Sequence, residues 1–433
     1  MSAPARPPAP TAAWRFLLPA GLAELALLAT LGWWPAASTA GVRAACFAGA
    51  FTAYAVAASR VKDARGGGTL VWVIAVALRL VLLPLDPSLS HDAYRYLWEG
   101  QIQAAGFAPF GRIPLDPELA GLRTPWFGLI PDAGAPTPYA PLAQIAFLAI
   151  SLAGGAILQA KLLWVGLDLA TGWVLGRIAY RTGRSRRLTQ LLWLWSPLLV
   201  VEVAWSGHLL PLAIFPLMLV VLLARAPAAS GVALGFSAMV APATLAAVPA
   251  LAARSGYRFL LGCAAAMALA AAPYALAGPA VLTAPFQALL RDRSLEGPYL
   301  LIESAVPGET APRLLALALV LSVAVWAARR RRRAEASLLW ILGAALLVTP
   351  VLRPWYALWI LPFAALRMSR PWILFTGLVL LAYVAYPGEA LSASSPMPVW
   401  VHLAVWLPLL VLLGKEWLRA WADRFPPPAA PGA

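Results

Sequence analysis

Apolar residues run along this chain in blocks of membrane length, separated by short polar turns. Runs at 14–35, 41–59, 69–85, 158–180, 188–204, 209–223, 259–278, 313–328, 336–351, 354–366, 371–386 and 398–414 predict helical spans. Roughly 17–25 such residues cross a hydrocarbon core of about 30 Å, and in lipid only a helix satisfies its own backbone over that length. Two further runs, 140–156 and 231–252, are interrupted by Gly or Pro. They predict broken or re-entrant helices, which a membrane tolerates where they line a protein cavity. The predicted fold class is all-α, a polytopic membrane protein of about 12–14 transmembrane or re-entrant helices.

The intervals set the organisation. Residues 1–13 are Pro-rich and predict a disordered N-terminus, and the Pro-rich tail 425–433 predicts the same. The first apolar run begins near Trp14 without a small-residue cleavage site, so it predicts a retained span and not a signal peptide. Residues 14–424 then form a single transmembrane domain, in which 86–139 is a long polar loop rich in proline.

Composition sharpens this reading. Of 433 residues 61% are hydrophobic and 12% charged, against about 25% charged in soluble domains. Mean hydropathy is +0.76. The net charge of +15 suggests nucleic acid until its distribution is read. The arginines sit between spans, as RVKDAR at 60–65, RTGRSRR at 181–187, RRRRR at 329–333, and Arg367 with Arg370. That is the positive-inside pattern, so membrane lipid is the expected partner and nucleic acid is not. It places both termini in the cytoplasm and the 86–139 loop outside. Cys46 and Cys263 lie within apolar runs and imply no disulfide framework.

Polar residues at the outer span ends carry the candidate chemistry. The stretch LSHDAYRYLWEGQIQAAGFAPF, residues 89–110, opens the long loop with His91, Asp92, Arg95 and Glu99. In a helix, Asp92, Arg95 and Glu99 share a face, which is also what a plain solvated helix would show. Ionisable residues beside the hydrocarbon boundary are costly and mark function. Tyr94, Tyr96, Trp98 and Phe107 are candidates to line a groove for a sugar or an isoprenoid. Glu202, Ser206 and His208 in VEVAWSGH, and Arg353, Trp355 and Tyr356 in VLRPWYALW, fall at other outer ends. Lys161 and Asp168, seven apart in one span, are expected to pair or to form polar lining. Arg291, Asp292, Arg293 and Glu296 lie in a second external loop. No nucleophile triad, Walker loop, GxGxxG or Cys/His cluster occurs.

Four motifs in register carry a resemblance. HDAYRYLWEGQIQAAGFAPF is similar to the signature opening the first external loop of GT-C superfamily glycosyltransferases. The nearest pattern is that of bacterial polyprenyl-phosphate-mannose-dependent mannosyltransferases, approximately SDDxYRYxWDGxxQAxGxNPY. YAPLAQ at 139–144 resembles their YPPLAQ, SGH at 206–208 their SGHxD, and TPVLRPWYALW at 349–359 their SPxxxPWYxxW. Together these bracket residues from about 70 to 366.

The resemblance implies a hexosyltransferase of the cell envelope, in a bacterial inner membrane with its site on the outer face. It moves a sugar, mannose or a related hexose, from a polyprenyl-phosphate donor to a glycolipid, glycan or protein acceptor. Asp92 matches the catalytic base and one displacement inverts the anomeric centre. Arg353 and Arg95 are the candidate cations for the departing phosphate, because guanidinium offers paired donors. His91, Tyr94, Trp98, Glu99, Tyr139, His208, Trp355 and Tyr356 complete the implied substrate-binding set. His91 stands where the family has a second acid, so no metal ligand set and no cofactor is expected; Mg²⁺ favours oxygen ligands. Leu209 replaces the acid after SGH, and Ala241 stands where a lysine is common. Two alternatives stay open: a relative that binds lipid-linked sugar without transferring it, and a broken-helix transporter, which would place polar residues at span centres.

Overall fold

A computed structural model describes residues 14–34, 39–61, 67–281, 283–284, 297–386 and 397–422. The expected disordered ends, and Arg291, Asp292, Arg293 and Glu296, lie outside these. Among the described residues the protein is helical and has no strand. Six helices are long and apolar enough to cross a membrane: Trp14–Trp33 (α1), Ala40–Arg60 (α2), Ile157–Arg181, Tyr257–Ala277, Thr310–Arg329 and Val399–Arg419. Shorter apolar helices stand among them, including Gly67–Leu82 (α3), Pro141–Leu152, Pro211–Leu222 and Ala334–Leu347. The protein is a multi-pass, all-α membrane protein.

Three expected spans are interrupted, two of them at a proline. The run 188–204 divides into Arg186–Leu194 and Pro197–Trp205, bent by 49°. Pro197 supplies no N–H and disfavours helical geometry at Ser196, so the ladder stops there. The run 354–366 is a 3₁₀ turn, Pro354–Trp359, followed by the helix Leu361–Arg367. Seven residues rise only about 10 Å, so this segment packs inside the bundle and does not cross as expected. The run 371–386 divides into Arg370–Leu378 and Leu381–Ala385, with Gly377 pressed against Phe51.

The bend after Leu194 exposes backbone that a buried arginine completes. Arg79 on α3 donates through Nη1 to the Leu194 carbonyl at 2.7 Å and to the Ala75 carbonyl at 2.8 Å. Its Nε meets Asp168 Oδ2 at 2.6 Å, with both side chains fully buried. This corrects the expected Lys161–Asp168 pair. Lys161 lies two turns away on the same helix and donates to the Leu85 carbonyl instead.

Small residues set the close crossings. Pro227–Ala238 packs on Tyr257–Ala271 through Gly231, Gly235 and Gly262, where a Cβ would strike the facing backbone. Such small-residue faces let membrane helices approach by van der Waals contact. Three arginine-rich turns gather at one end of the bundle: Arg184 meets Glu335 at 3.4 Å, and Arg254 donates to the Arg331 and Arg332 carbonyls. Arg181 donates to Leu222, the far end of the helix that starts at Pro211 just beyond His208. The arginines and the SGH turn therefore occupy opposite ends.

Candidate active site

Helix α4, Asp92–Ala104, lies across the end opposite the arginines. Asp92 opens it, where the unpaired N–H groups and the helix dipole favour a negative charge. The Asp92 N–H donates to Ser90 Oγ at 3.3 Å. Gly100 lets α4 sit directly on the Phe147 backbone of helix α5, Pro141–Leu152. Tyr96 stacks on Phe147 with ring centres 4.9 Å apart and reaches the Leu209 backbone, tying α4 to the SGH turn.

The SGH turn follows a π-helical turn, Val201–Trp205. A π-turn is rare and is found at functional sites. Gly207 has φ +74°, a backbone state that glycine adopts freely, and a Cβ there would meet the Lys161 side chain tightly at 3.3 Å. The His208 N–H then closes onto the Glu202 carbonyl at 2.9 Å. The two side chains meet as well, with His208 Nδ1 at 2.9 Å from Glu202 Oε2. On the other ring edge His208 Nε2 lies 3.2 Å from Ser90 Oγ and 3.5 Å from Asp92 Oδ2.

A third segment covers this ring. Thr349 Oγ1 closes a tight turn onto the Val351 carbonyl at 2.8 Å, and Pro354 then starts the 3₁₀ turn. Trp355 stacks on His208 with centres 4.1 Å apart at 27°, and Tyr356 meets Trp355 edge-on at 6.0 Å. Arg353, two residues before Trp355, is buried, and its charge reaches Asp92.

Electrostatics follow from the contacts. Burial alone would raise the Asp92 carboxyl. The hydrogen bond and charge of His208, with Arg353 and His91, outweigh that and hold it below the usual carboxylate range. Burial alone would lower His208, but hydrogen bonds to Asp92 and Glu202 and both their charges push it up to about 9. An imidazolium has two N–H donors, and both have an oxygen to meet here. Glu99 moves the other way: burial raises it, against Arg95, Gln144 and Thr137.

Seven of the sequence-derived residues come together. Asp92, His91, Tyr139, Trp355 and Tyr356 are part-exposed around the opening, with His208 and Arg353 buried behind them. Asp92 is 27% exposed and His208 only 1%. Tyr139 is within electrostatic reach of both Asp92 and Tyr356. Four others do not join this cluster. Arg95 is 3% exposed, bound to Glu99 Oε1 at 2.6 Å and to the Asp132 and Ala135 carbonyls at 3.0 Å each. It braces the long loop against α4, with all three guanidinium nitrogens engaged there. Glu99 serves the same brace, Trp98 is buried edge-on to Phe127, and Tyr94 packs between His91 and Trp126.

The structure gives a role to Glu202, named above only as a polar residue at a span end, and adds Ser90 and Tyr383. Glu202 supplies a second carboxylate six residues before His208, whereas the acid was sought after it. Ser90 meets His208, and Tyr383 donates to Glu202 Oε1 at 2.7 Å. Glu202 was visible as a rare acid within an apolar run; nothing in the sequence singled out Tyr383. Among the described residues no group of three His, Cys, Asp or Glu side chains could hold a metal ion.

Residues 18–256 match the family described as alpha-(1->6)-mannopyranosyltransferase, N-terminal domain (MptA/B family). That match covers 239 of the 433 residues and includes the α4 and SGH segments. No curated protein and no solved structure matches the chain.

Proposed function

The chain belongs to the MptA/B family of alpha-(1->6)-mannopyranosyltransferases, and from that premise we propose that it transfers mannose from a polyprenyl-phosphate donor, with Asp92 as general base. One observation carries the assignment: Asp92 is a part-exposed carboxylate held ionised by His208 and Arg353 at the mouth of a bundle of membrane-length helices. A donor that is half lipid and half sugar presents its anomeric carbon at such a boundary.

The chemistry balances on these residues. The acceptor hydroxyl gives its proton to an Asp92 oxygen while its own oxygen forms a bond to the anomeric carbon. The bond from that carbon to the phosphate oxygen breaks, and its electron pair leaves on the phosphate monoester. Attack and departure on opposite faces invert the centre. General-base help of this kind is worth about 10²–10⁴ in rate. The Arg353 guanidinium offers charge-assisted donors to the departing phosphate. Trp355, Tyr356 and Tyr139 present aromatic faces and hydroxyls to the sugar.

The arginine-rich turns at the opposite end orient the molecule by the positive-inside rule. They favour cytoplasmic termini and a site on the outer face of a bacterial inner membrane. The acceptor class is a glycolipid, glycan or protein hydroxyl.

The test is transfer from polyprenyl-phosphate mannose in detergent, with wild type and Asp92→Asn, reading the anomeric configuration of the product. Wild-type transfer with an inverted product, lost in the variant, supports the reading. Full activity in Asp92→Asn removes Asp92 as base. Donor binding without transfer by the wild type moves the protein to a lipid-linked-sugar binder.

A further inference from the structure

Glu202 belongs to the bent span and not to the site opening, yet it is fully buried with both carboxylate oxygens engaged. Oε2 takes His208 Nδ1 at 2.9 Å and Oε1 takes the Tyr383 hydroxyl at 2.7 Å. An ionised carboxylate in such a place is tolerated only when paired and hydrogen-bonded.

We infer that Glu202 is a positioning residue for the base: through His208 it keeps Asp92 ionised and fixes the direction of its free oxygen. The inference rests on the reading of Asp92 given above. The groups around the chain of contacts are few. Asp92 is faced by Ser90 and His91 from its own segment, by His208 from the SGH turn, by Arg353 from the last segment, and by Tyr96, Tyr139 and Tyr383. His208 is faced by Ser90, Asp92, Glu202 and the Trp355 ring, and Glu202 by His208 and Tyr383.

Two negative charges, Asp92 and Glu202, meet two positive ones, His208 and Arg353. A His208 facing Asp92 alone would meet one carboxylate and one hydroxyl. Glu202 gives the second ring nitrogen an ionic partner, so both ring protons stay. Trp355 stacked on one face blocks rotation of the imidazolium and keeps Nε2–H directed at Asp92. When Asp92 takes the acceptor proton, the four-residue group gains one positive charge just as the departing phosphate gains one negative charge.

The sign of the pH effect follows. A base must be ionised to work, and the paired His208 charge extends that state to lower pH. Removing the charge returns Asp92 toward higher values, so activity on the acid side is lost sooner. The acid limb of kcat/KM is expected to move up by about one pH unit in both Glu202→Gln and His208→Gln. The double variant is expected to move no further, because Glu202 acts through His208. KM for polyprenyl-phosphate mannose is expected to stay within about threefold in Glu202→Gln. A limb that stays in place while activity falls at every pH shows a merely structural role and overturns the inference.

A second readout needs no turnover. His208 is raised from 6.5 to about 9, so its stabilising contribution is complete below 6.5 and is lost as pH rises through about 9. Wild-type Tm in detergent is expected to fall across that interval more steeply than in Glu202→Gln. Parallel curves overturn the inference. If no transfer is found, or Asp92→Asn retains it, the reading of Asp92 fails, while the melting curves still decide whether Glu202 holds His208 charged.

Discussion

Two groups of buried charges sit in this bundle and use similar side chains to different ends. Glu24, Arg79 and Asp168 are sealed between spans, each with 1% exposure or less. Asp92, His208, Glu202 and Arg353 lie at the end of the bundle opposite the arginine-rich turns, and Asp92 is open to solvent. The inner group has no opening to solvent, and its arginine is spent on a broken helix. The outer group contains an imidazole between two carboxylates. Burial of charge is common to both, so burial does not distinguish a site; access and an imidazole held between two carboxylates do.

The largest expected effect separates the two by activity. Asp92→Asn conserves shape and should reduce transfer by about 10²–10⁴ with Tm changed little, because its carboxylate is part-exposed. Transfer assays and melting curves on the same detergent preparation check both halves. Asp168→Asn should do the reverse. Breaking a buried pair costs about 3–5 kcal/mol, seen as a lower Tm or weaker expression, whereas KM for the donor in the surviving folded fraction should be normal. If Asp168→Asn raised the donor KM as well, the inner group would have to be counted with the site.

Arg353→Gln comes next. Loss of a charged hydrogen bond of about 1.5–3 kcal/mol should raise KM for polyprenyl-phosphate mannose by about 10–100-fold. Arg353→Lys should recover part of it, since a point charge replaces a planar fork. Initial rates over a donor series decide this. An unchanged donor KM in Arg353→Gln would assign the phosphate to another cation.

Much of this contrast was legible in the sequence, for a physical reason. Asp92, His208, Arg353 and Trp355 stand at the ends of apolar runs, where a polar residue is conspicuous, and lie in motifs of fixed spacing. Arg95, Glu99 and Trp98 share that conspicuous segment, but spacing along a helix reports neighbours on a face and not what covers the face. The loop around Asp132 and Ala135 covers theirs. The bend in 188–204 and the short 354–366 segment were missed because hydropathy ignores what Pro197 and Pro354 do to a helix. The Glu202–His208 contact depends on a π-turn and on Gly207, neither of which hydropathy reports. Arg79 lies within an apolar run, and its partner on another span is visible only in three dimensions.

The smallest expected effect tests how the inner group is held together. Arg79 makes its hydrogen bonds without Glu24: Nε reaches Asp168 and Nη1 reaches Ala75 and Leu194, while Nη2 is buried without a partner among the described residues. Among the described residues no donor reaches either Glu24 oxygen, although the Arg79 charge acts on it. Nothing in the packing therefore requires a charge at position 24, only the volume and polarity of its side chain. Glu24→Gln keeps both and is expected to shift stability by less than about 1 kcal/mol, in contrast to the several kcal/mol of Asp168→Asn. Transfer activity should not change. The check is Tm of the two variants side by side. A fall in Glu24→Gln as large as in Asp168→Asn would show that Glu24 is a full ionic partner of Arg79. The inner group would then be a connected charge cluster like the outer one, and access and the imidazole would remain to distinguish them.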